Sequence, residues 1–433
     1  MTKAPLPVLR AAIPAVLMLT VPNAQRDTED ERRHEMESLL DTAGRSAVAV
    51  LVQHCDRPIA ATYIGSGKVQ ELAALVRHSG AEEVVFDCAL SPRQQANLEQ
   101  ACGCRVYDYE WLILEIFARN ARTEEAMLAV ELARAEYLKS RLRRLWTHLD
   151  RQHKGGSPGG SGFLTGTGEK QIEMDRRLVR RRIQTLRERL ARIEARRERT
   201  IAARSELFQV ALVGYTNAGK STLMNALTGA GVVAEDRLFA TLDTRTARLP
   251  LPRHEQVVLS DTVGFIRDLP PNLIASFHAT LGEVREADLL IHVVDASSPA
   301  MERQIAVVEE VLAHIGADHI PAIMAFNKSD RPFSRTLVGA CKKRYRHAVS
   351  ISALTGAGLD ELREAIAQCI DRRQQRLIVR FPIAEGGLLA FIRRRARIEQ
   401  EAYDGEQAVL TIVADDQLQR ELAEHPRLAI EPA

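Results

Sequence analysis

Between residues 15 and 119 apolar residues arrive in short runs, separated by charged stretches with helical spacing. AVLMLTV (15–21) has strand length, and TEDERRHEMESLLDTAG (28–44) reads as a charged amphipathic helix. SAVAVLVQ (46–53) is a second strand, and EEVVFD (82–87) and RVYD (105–108) are further strand candidates with helices between them. Such alternation predicts a small α/β domain over 1–120 with a largely parallel sheet. Residues 11–22, AAIPAVLMLTVP, follow Lys3 and Arg10 and resemble a leader. The run is short, contains Pro14 and lacks a small-residue cleavage site, so Val16, Leu17, Met18 and Leu19 are assigned to a buried first strand.

The pattern changes over 121–205. Leu128, Ala135, Leu142 and Leu149 recur at every seventh position, and Val179, Ile183, Leu186, Leu190 and Ile193 step by four and three. Both are heptad patterns. KGGSPGGSGFLTGTGEK lies between them, with a Gly-rich loop expected at 155–168. Two helices joined this way predict an antiparallel hairpin roughly 40 Å long, from the 1.5 Å rise per residue.

Over 206–372 strand and helix alternate again, which predicts a second α/β domain with a mostly parallel sheet and helices on both faces. In 373–433, RLIVRFPI (376–383) reads as a strand, GGLLAFIRRRA (386–396) as a helix, and YDGEQAVLTIVA (403–414) as a D-G turn leading into a strand. That makes a small C-terminal α+β domain.

Composition adds bounds. The chain has 433 residues, 45% hydrophobic and 27% charged, ample for folded cores. Aromatics are only 5%, which disfavours a stacking platform for single-stranded nucleic acid. The six cysteines have no zinc spacing and suggest reduced, buried thiols in a cytoplasmic protein. His54, His254, His278 and His292 lack metal-ligand spacing and read as ordinary histidines. No apolar run reaches the length of about 18 residues needed to span a bilayer. Charge is uneven: residues 122–204 hold 21 Lys/Arg against 11 Asp/Glu, in a chain whose net charge is only +2. The hairpin is a basic arm on an acidic body. Arg176, Arg177, Arg180, Arg181 and Arg182 form its densest cluster, and the arm fits either a solvated coiled coil or a footprint for phosphate backbone.

The chemistry concentrates in 206–372. Gly214-Tyr215-Thr216-Asn217-Ala218-Gly219-Lys220-Ser221 matches G-x-x-x-x-G-K-[ST] between a buried strand, FQVALVG, and a helix, STLMNALTG, that begins Ser221-Thr222. Loop amides at a helix N-terminus cradle phosphates, Lys220 reaches the β- and γ-phosphates, and Ser221 ligates Mg²⁺. Gly65-Ser66-Gly67-Lys68 lacks the first Gly and the final Ser/Thr and reads as a helix start. Asn327-Lys328-Ser329-Asp330 follows the strand PAIMAF. A buried Asp330 carboxylate accepting from guanine N1–H and N2–H₂ selects GTP over ATP. Ser352, Ala353 and Leu354, after HAVSI, are placed to offer a backbone contact to guanine O6. In Asp261-Thr262-Val263-Gly264, Asp261 is expected to hold Mg²⁺ through water and Gly264 to bring an amide to the γ-phosphate. Phe265 follows, where the best-known small GTPases carry a water-orienting Gln. A Thr for Mg²⁺ is expected in FATLDTRTAR, and spacing leaves Thr241, Thr244 and Thr246 open.

The motifs GYTNAGKSTL, FATLD, DTVGFIRDLP, NKSD and SAL, with GSGKVQEL, LSPRQQANLE and GTGEKQIEMDRR outside the GTPase region, resemble the HflX family of ribosome-associated GTPases over most of 50–370. The resemblance implies GTP hydrolysis to GDP; with Phe265 in the place of the Gln, a low intrinsic rate stimulated by ribosomes is expected, with Lys220, Thr241 and Gly264 as catalytic residues. It implies Mg²⁺ at Ser221, Thr241 and Asp261, and nucleotide contacts that include Phe239, Ala240, Leu242 and Asp243. The family binds the large ribosomal subunit and is thought to split or rescue stalled ribosomes, with its hairpin loop toward the peptidyl transferase centre. Asn217 suggests K⁺ beside the phosphates, as in related GTPases. The family also has a hydrophobic residue in the place of Phe265. Expected partners are ribosomal RNA and no DNA, for a monomer in the cytoplasm, with peripheral membrane association left open. A GTPase of RNA maturation or tRNA modification is the alternative. Two departures stand out: Lys170 and Ile172 where the family reads G-E-T-Q-L-E, and Thr244 where Pro follows FATLD.

Overall fold

A computed structural model gives the fold, and it describes residues 12–432 apart from 155–164, 203–206, 230–237, 240–244, 252–256, 269–281, 332–338, 340–343, 346, 424 and 426. The first sheet runs β2-β1-β3-β4, from β1 (Ile13–Val21), β2 (Arg45–His54), β3 (Glu83–Phe86) and β4 (Arg105–Tyr107). Every pairing in it is parallel. Parallel strands with helices on both faces have no side for water, and Val16, Leu17, Met18 and Leu19 on the inner strand β1 are fully buried. That explains an unbroken apolar run so near the N-terminus.

Local signals set the helix starts. Helix α1 (Glu29–Thr42) follows β1, and α2 (Ser66–Ser79) opens after Gly65, so G-S-G-K is a helix start as expected. Helix α3 (Pro92–Cys102) has a capping box: Ser91 accepts from the Gln94 amide, and the Gln94 side chain accepts from the Ser91 amide. Helix α4 (Tyr109–Asn120) is capped by Asp108, which accepts from the Trp111 amide at 2.9 Å.

Asp108 also joins this domain to the hairpin. Its carboxylate accepts from Tyr137 Oη at 2.9 Å and the Leu90 amide at 3.3 Å, and it pairs with Arg141. Tyr137 and Arg141 lie on α5 (Glu124–Lys154), the first arm of the hairpin. The second arm, α6 (Thr165–Ala202), begins earlier than the expected loop allows, so Gly166 and Gly168 fall in its first turn. Glycine costs a helix only about 1 kcal/mol per residue relative to alanine, which disfavours but does not forbid a helix start there. Ile183, Leu186 and Leu190 are buried and Val179 and Ile193 half-buried, as the heptads predict. Of Leu142 and Leu149 only the helical backbone is described. Arg182 with Glu131 and Arg187 with Glu136 tie the arms together on their exposed side.

The second sheet runs β10-β9-β8-β5-β7-β6 and is parallel except where β6 (Arg245–Arg248) meets β7 (Val257–Asp261). Its inner strands are β5 (Phe208–Val213), β7, β8 (Leu289–Asp295) and β9 (Ala322–Asn327), with β6 at one edge and β10 (Ala348–Ser350) at the other. This is a P-loop GTPase fold. An antiparallel sheet, β12-β13-β11-β14, forms the C-terminal unit. It is made of β11 (Gln374–Pro382), β12 (Arg397–Asp404), β13 (Gln407–Asp415) and β14 (Ala429–Pro432). The D-G turn falls at Asp404-Gly405, where Gly405 has φ +60°.

Cys55, Cys88, Cys102, Cys104 and Cys369 are free thiols; Cys102 alone among them is fully buried, the rest half-buried, while Cys341 lies outside the described residues. No helix among the described residues is long and apolar enough to cross a membrane.

Asp108→Ala would leave the Arg141 guanidinium buried without its carboxylate and remove the α4 cap. The expected loss is about 3–5 kcal/mol, read as an earlier unfolding transition in urea. A midpoint equal to that of the parent chain would contradict this account.

Candidate active site

Strand β5 ends at Val213, and the loop from Gly214 to Gly219 leads into α7 (Lys220–Thr228). Two glycines are demanded by geometry. Gly214 has φ +152°, and a Cβ there would sit 2.2 Å from the Val293 carbonyl oxygen. Gly219 has φ +95°, and its Cβ would meet Asn327 Nδ2 at 2.3 Å. The loop therefore lies tight against β8 and β9, with the positive end of α7 at its mouth, an arrangement suited to phosphate. Lys220 is buried beneath it and donates to the carbonyls of Gly214 at 3.0 Å and Tyr215 at 2.8 Å. Burial pushes its ammonium down to about 8, with the Asp261 carboxylate opposing. His292 on β8, read as ordinary from the sequence, is a buried imidazole pushed down to about 3 by desolvation and by Lys220.

On the metal side, Ser221 Oγ donates to Asp261 Oδ2 at 2.6 Å. A hydroxyl and a carboxylate brought together are hard oxygen donors that fit Mg²⁺, which usually takes only one or two protein ligands beside water and phosphate. Thr241 and its neighbours Ala240, Leu242, Asp243 and Thr244 lie outside the described residues. Thr262 and Val263 are buried, and Thr262 Oγ1 donates to the Leu212 carbonyl at 2.5 Å. Both support the loop from below. A Cβ at Gly264 would stand 3.0 Å from Lys220 Nζ and 2.9 Å from Thr216 Cα, so its main chain closes directly over the lysine.

On the base side, Asn327 is a brace. Its Nδ2 donates to the Ala218 carbonyl at 2.8 Å, and its Oδ1 accepts from the Ala353 amide at 2.9 Å. That amide belongs to the stretch expected to offer guanine O6 a backbone contact, and here it is bonded to Asn327. Lys328 has φ +62° and reaches back to the Asn217 carbonyl at 2.9 Å while its ammonium lies 2.6 Å from Asp295. Asp295 was missed by sequence reasoning; its signal was an acidic residue ending the buried strand LLIHVVD. Asp330 is exposed, not buried as expected, because it stands on the turn beyond β9. Its carboxylate accepts from Ser352 Oγ at 2.6 Å, which holds it below the ordinary range. Leu354 stands 80% exposed at the rim.

Two residues expected at the nucleotide turn elsewhere. Phe239 is buried with its ring edge-on to Phe117 of α4, centroids 4.8 Å apart, and its carbonyl accepts from Asn120 Nδ2 at 2.7 Å. Tyr215 leaves the loop toward the first domain and donates its hydroxyl to Glu35 on α1. Phe265 is buried too, and its backbone pairs with the loop: its amide donates to the Gly214 carbonyl at 3.1 Å and its carbonyl accepts from the Thr216 amide at 2.8 Å. Sequence reasoning missed Glu35, Tyr109 and Asn120, which hold these segments from the first domain and belong to no motif.

Three family models match the chain: GTP-binding GTPase N-terminal over 30–118, GTP-binding GTPase Middle Region over 120–204, and 50S ribosome-binding GTPase over 209–328. A GTPase HflX of Magnetococcus marinus is 43% identical over 92% of this chain and 91% of its own. That of Escherichia coli is 43% identical over 87% and 88%. Among solved structures, the SsGBP–GDP complex is 26% identical, covering 82% of this chain and 98% of that one, with a TM-score of 0.46.

Asp330→Asn is expected to weaken guanine-nucleotide binding by about 1–3 kcal/mol in fluorescence titration while the fold is kept, since an amide puts a donor where the base needs an acceptor. Binding is also expected to depend on pH. Lys220 in the free protein loses its proton near pH 8, and phosphates favour the charged form, so the bound state holds more protons. Affinity for GDP should therefore fall as pH rises through about 8, by up to about tenfold per pH unit. Lys220→Ala should remove that slope.

Proposed function

Because this chain belongs to the HflX family of GTPases, we propose that it is a GTP-driven factor of the large ribosomal subunit, splitting or rescuing stalled ribosomes or assisting subunit biogenesis. The observation that carries this reading is the pairing of the guanine site with an arginine-studded hairpin. Arg177, Arg180, Arg181 and Arg182 are exposed along α6, and only the last of these four is drawn into an ion pair among those described across the hairpin. Guanidinium groups at this density suit RNA phosphates, which they grip in bidentate fashion. The description of the matched GTPase model as 50S ribosome-binding supports the same partner. The protein would act as a monomer in the cytoplasm.

Within the site, GTP with Mg²⁺ at Ser221, Asp261 and Thr241 would order the segments around 239–243 and 261–268, and hydrolysis would release them. Lys220 would neutralise charge on the β- and γ-phosphates. Phe265 offers no polar atom to water, so the nucleophile would be oriented by main chain, by a cation or by the ribosome. Asn217, at φ +59° on the exposed lip of the loop, would hold a K⁺ ion beside the phosphates.

Sedimentation with purified ribosomal subunits should show binding to the large subunit that strengthens with a non-hydrolysable GTP analogue. Turnover should rise markedly when that subunit is added. Absence of nucleotide-dependent co-sedimentation would favour RNA maturation or tRNA modification, and equal turnover in Na⁺ and K⁺ buffers would remove the K⁺ assignment.

A further inference from the structure

We propose that Glu35, in the N-terminal domain, is a positioning residue of GTP hydrolysis that fixes the segment after D-T-V-G against the P-loop. The argument begins with what one carboxylate holds. Glu35 accepts the hydroxyl of Tyr215, the second residue of the P-loop, from 180 positions away in sequence. It also lies 3.5 Å from the guanidinium of Arg267, two residues beyond Phe265. The Tyr215 hydroxyl in turn accepts from the Arg267 amide at 3.1 Å. A relay therefore runs from carboxylate to phenol to main chain. Tyr109 on α4 completes it, donating to the Arg267 carbonyl at 2.8 Å. Both sides of the Arg267 residue's backbone are thus held by groups that the first domain supplies or orients.

The contact suits a carboxylate. Tyr215 donates to one oxygen of Glu35 and the Arg267 guanidinium lies 3.5 Å from the other, so both donors face a side chain with two acceptor oxygens and no donor. Burial raises the carboxyl's proton affinity, and Arg267 opposes this. The contact is mostly screened from water, with side-chain exposures of 17% for Glu35 and 20% for Arg267, so losing one partner is felt by the other.

The segment held in this way is the one on which hydrolysis depends. Gly264 lies over Lys220, and the Phe265 amide and carbonyl are bonded to Gly214 and Thr216. In a GTPase with no Gln side chain to aim the water, the position of this main chain carries more of the task. The inference rests on the reading that main chain contributes to orienting the water. A carboxylate that only glued two domains together would instead affect stability and nucleotide affinity in parallel.

The test uses the full-length chain, with Glu35→Gln, Tyr215→Phe, the double variant, and Lys220→Ala as a control. Single-turnover GTP hydrolysis and fluorescent-GDP affinity are measured for each. Glu35→Gln should slow hydrolysis about tenfold while GDP affinity stays within about twofold. Tyr215→Phe, which removes the same relay, should behave alike, and the double variant should be no slower than the worse single one, since coupled residues are not additive. A Glu35→Gln rate within about twofold of the parent, a parallel loss of GDP affinity, or additive losses would each overturn the proposal. If Lys220→Ala also hydrolyses at the parental rate, the site assignment itself fails; if only the Glu35 variants are normal, the site stands and the positioning role does not.

Discussion

Phe239 and Phe265 are anchored in a hydrophobic core that the GTPase domain shares with the N-terminal sheet domain and the base of the hairpin. The same cluster contains Leu17 and Leu19 of β1, Phe117 of α4, Leu132 of α5, Leu186 of α6, and Val213 and Val263 beside the P-loop. Each buried aromatic or leucine side chain contributes about 1.5–3 kcal/mol of transfer free energy, so Phe239 and Phe265 cannot swing out without exposing surface they share with another domain. The hydrophobic residue after D-T-V-G thus has a structural reason: it ties that turn to the core shared with the rest of the chain.

Polar contacts give this apolar junction its register. Asn120 holds the Phe239 carbonyl, Tyr109 holds the Arg267 carbonyl, and Glu35 takes Tyr215 and Arg267 together. Arg303 adds an exposed pair with Glu31 at the margin. Hydrophobic burial fixes that the domains meet but is tolerant of sliding, whereas hydrogen bonds at 2.7–3.1 Å are not. The hairpin is set on the same foundation by Asp108, Tyr137 and Arg141, and Arg141 also stacks on the Tyr137 ring at 3.4 Å. The P-loop, α4 and the start of α5 are thus joined by one continuous set of packed and hydrogen-bonded contacts.

Much of the site was legible because phosphate and guanine recognition depends on contiguous residues. G-x-x-x-x-G-K-S and N-K-S-D carry their meaning in the order of the chain, and strand-loop-helix patterning located them. The environment of each side chain was less legible. Asp330 was expected to be buried and stands on an exposed turn, because burial at the base site has to come from the ligand. Tyr215 was assigned to nucleotide by its motif and Phe239 by the family resemblance, yet both side chains turn toward the neighbouring domain. Gly166 and Gly168 looked like loop and form the first turn of α6, since glycine disfavours a helix by only about 1 kcal/mol and does not forbid it.

By itself the sequence determined the classes of structure and the local chemistry: parallel sheets from apolar runs, a hairpin from heptads, a phosphate loop from its glycines, a basic arm from the uneven distribution of arginine. These follow from short-range rules of periodicity, backbone freedom and charge, which act between residues close in the chain. Tertiary structure decided which of those parts share a core and which donors meet which acceptors. Glu35 and Tyr215 are 180 residues apart, and no pattern in either neighbourhood refers to the other. Their contact exists because α1 and the P-loop are packed against one apolar cluster, and only the three-dimensional closure of that cluster brings a carboxylate to the phenol of a phosphate loop.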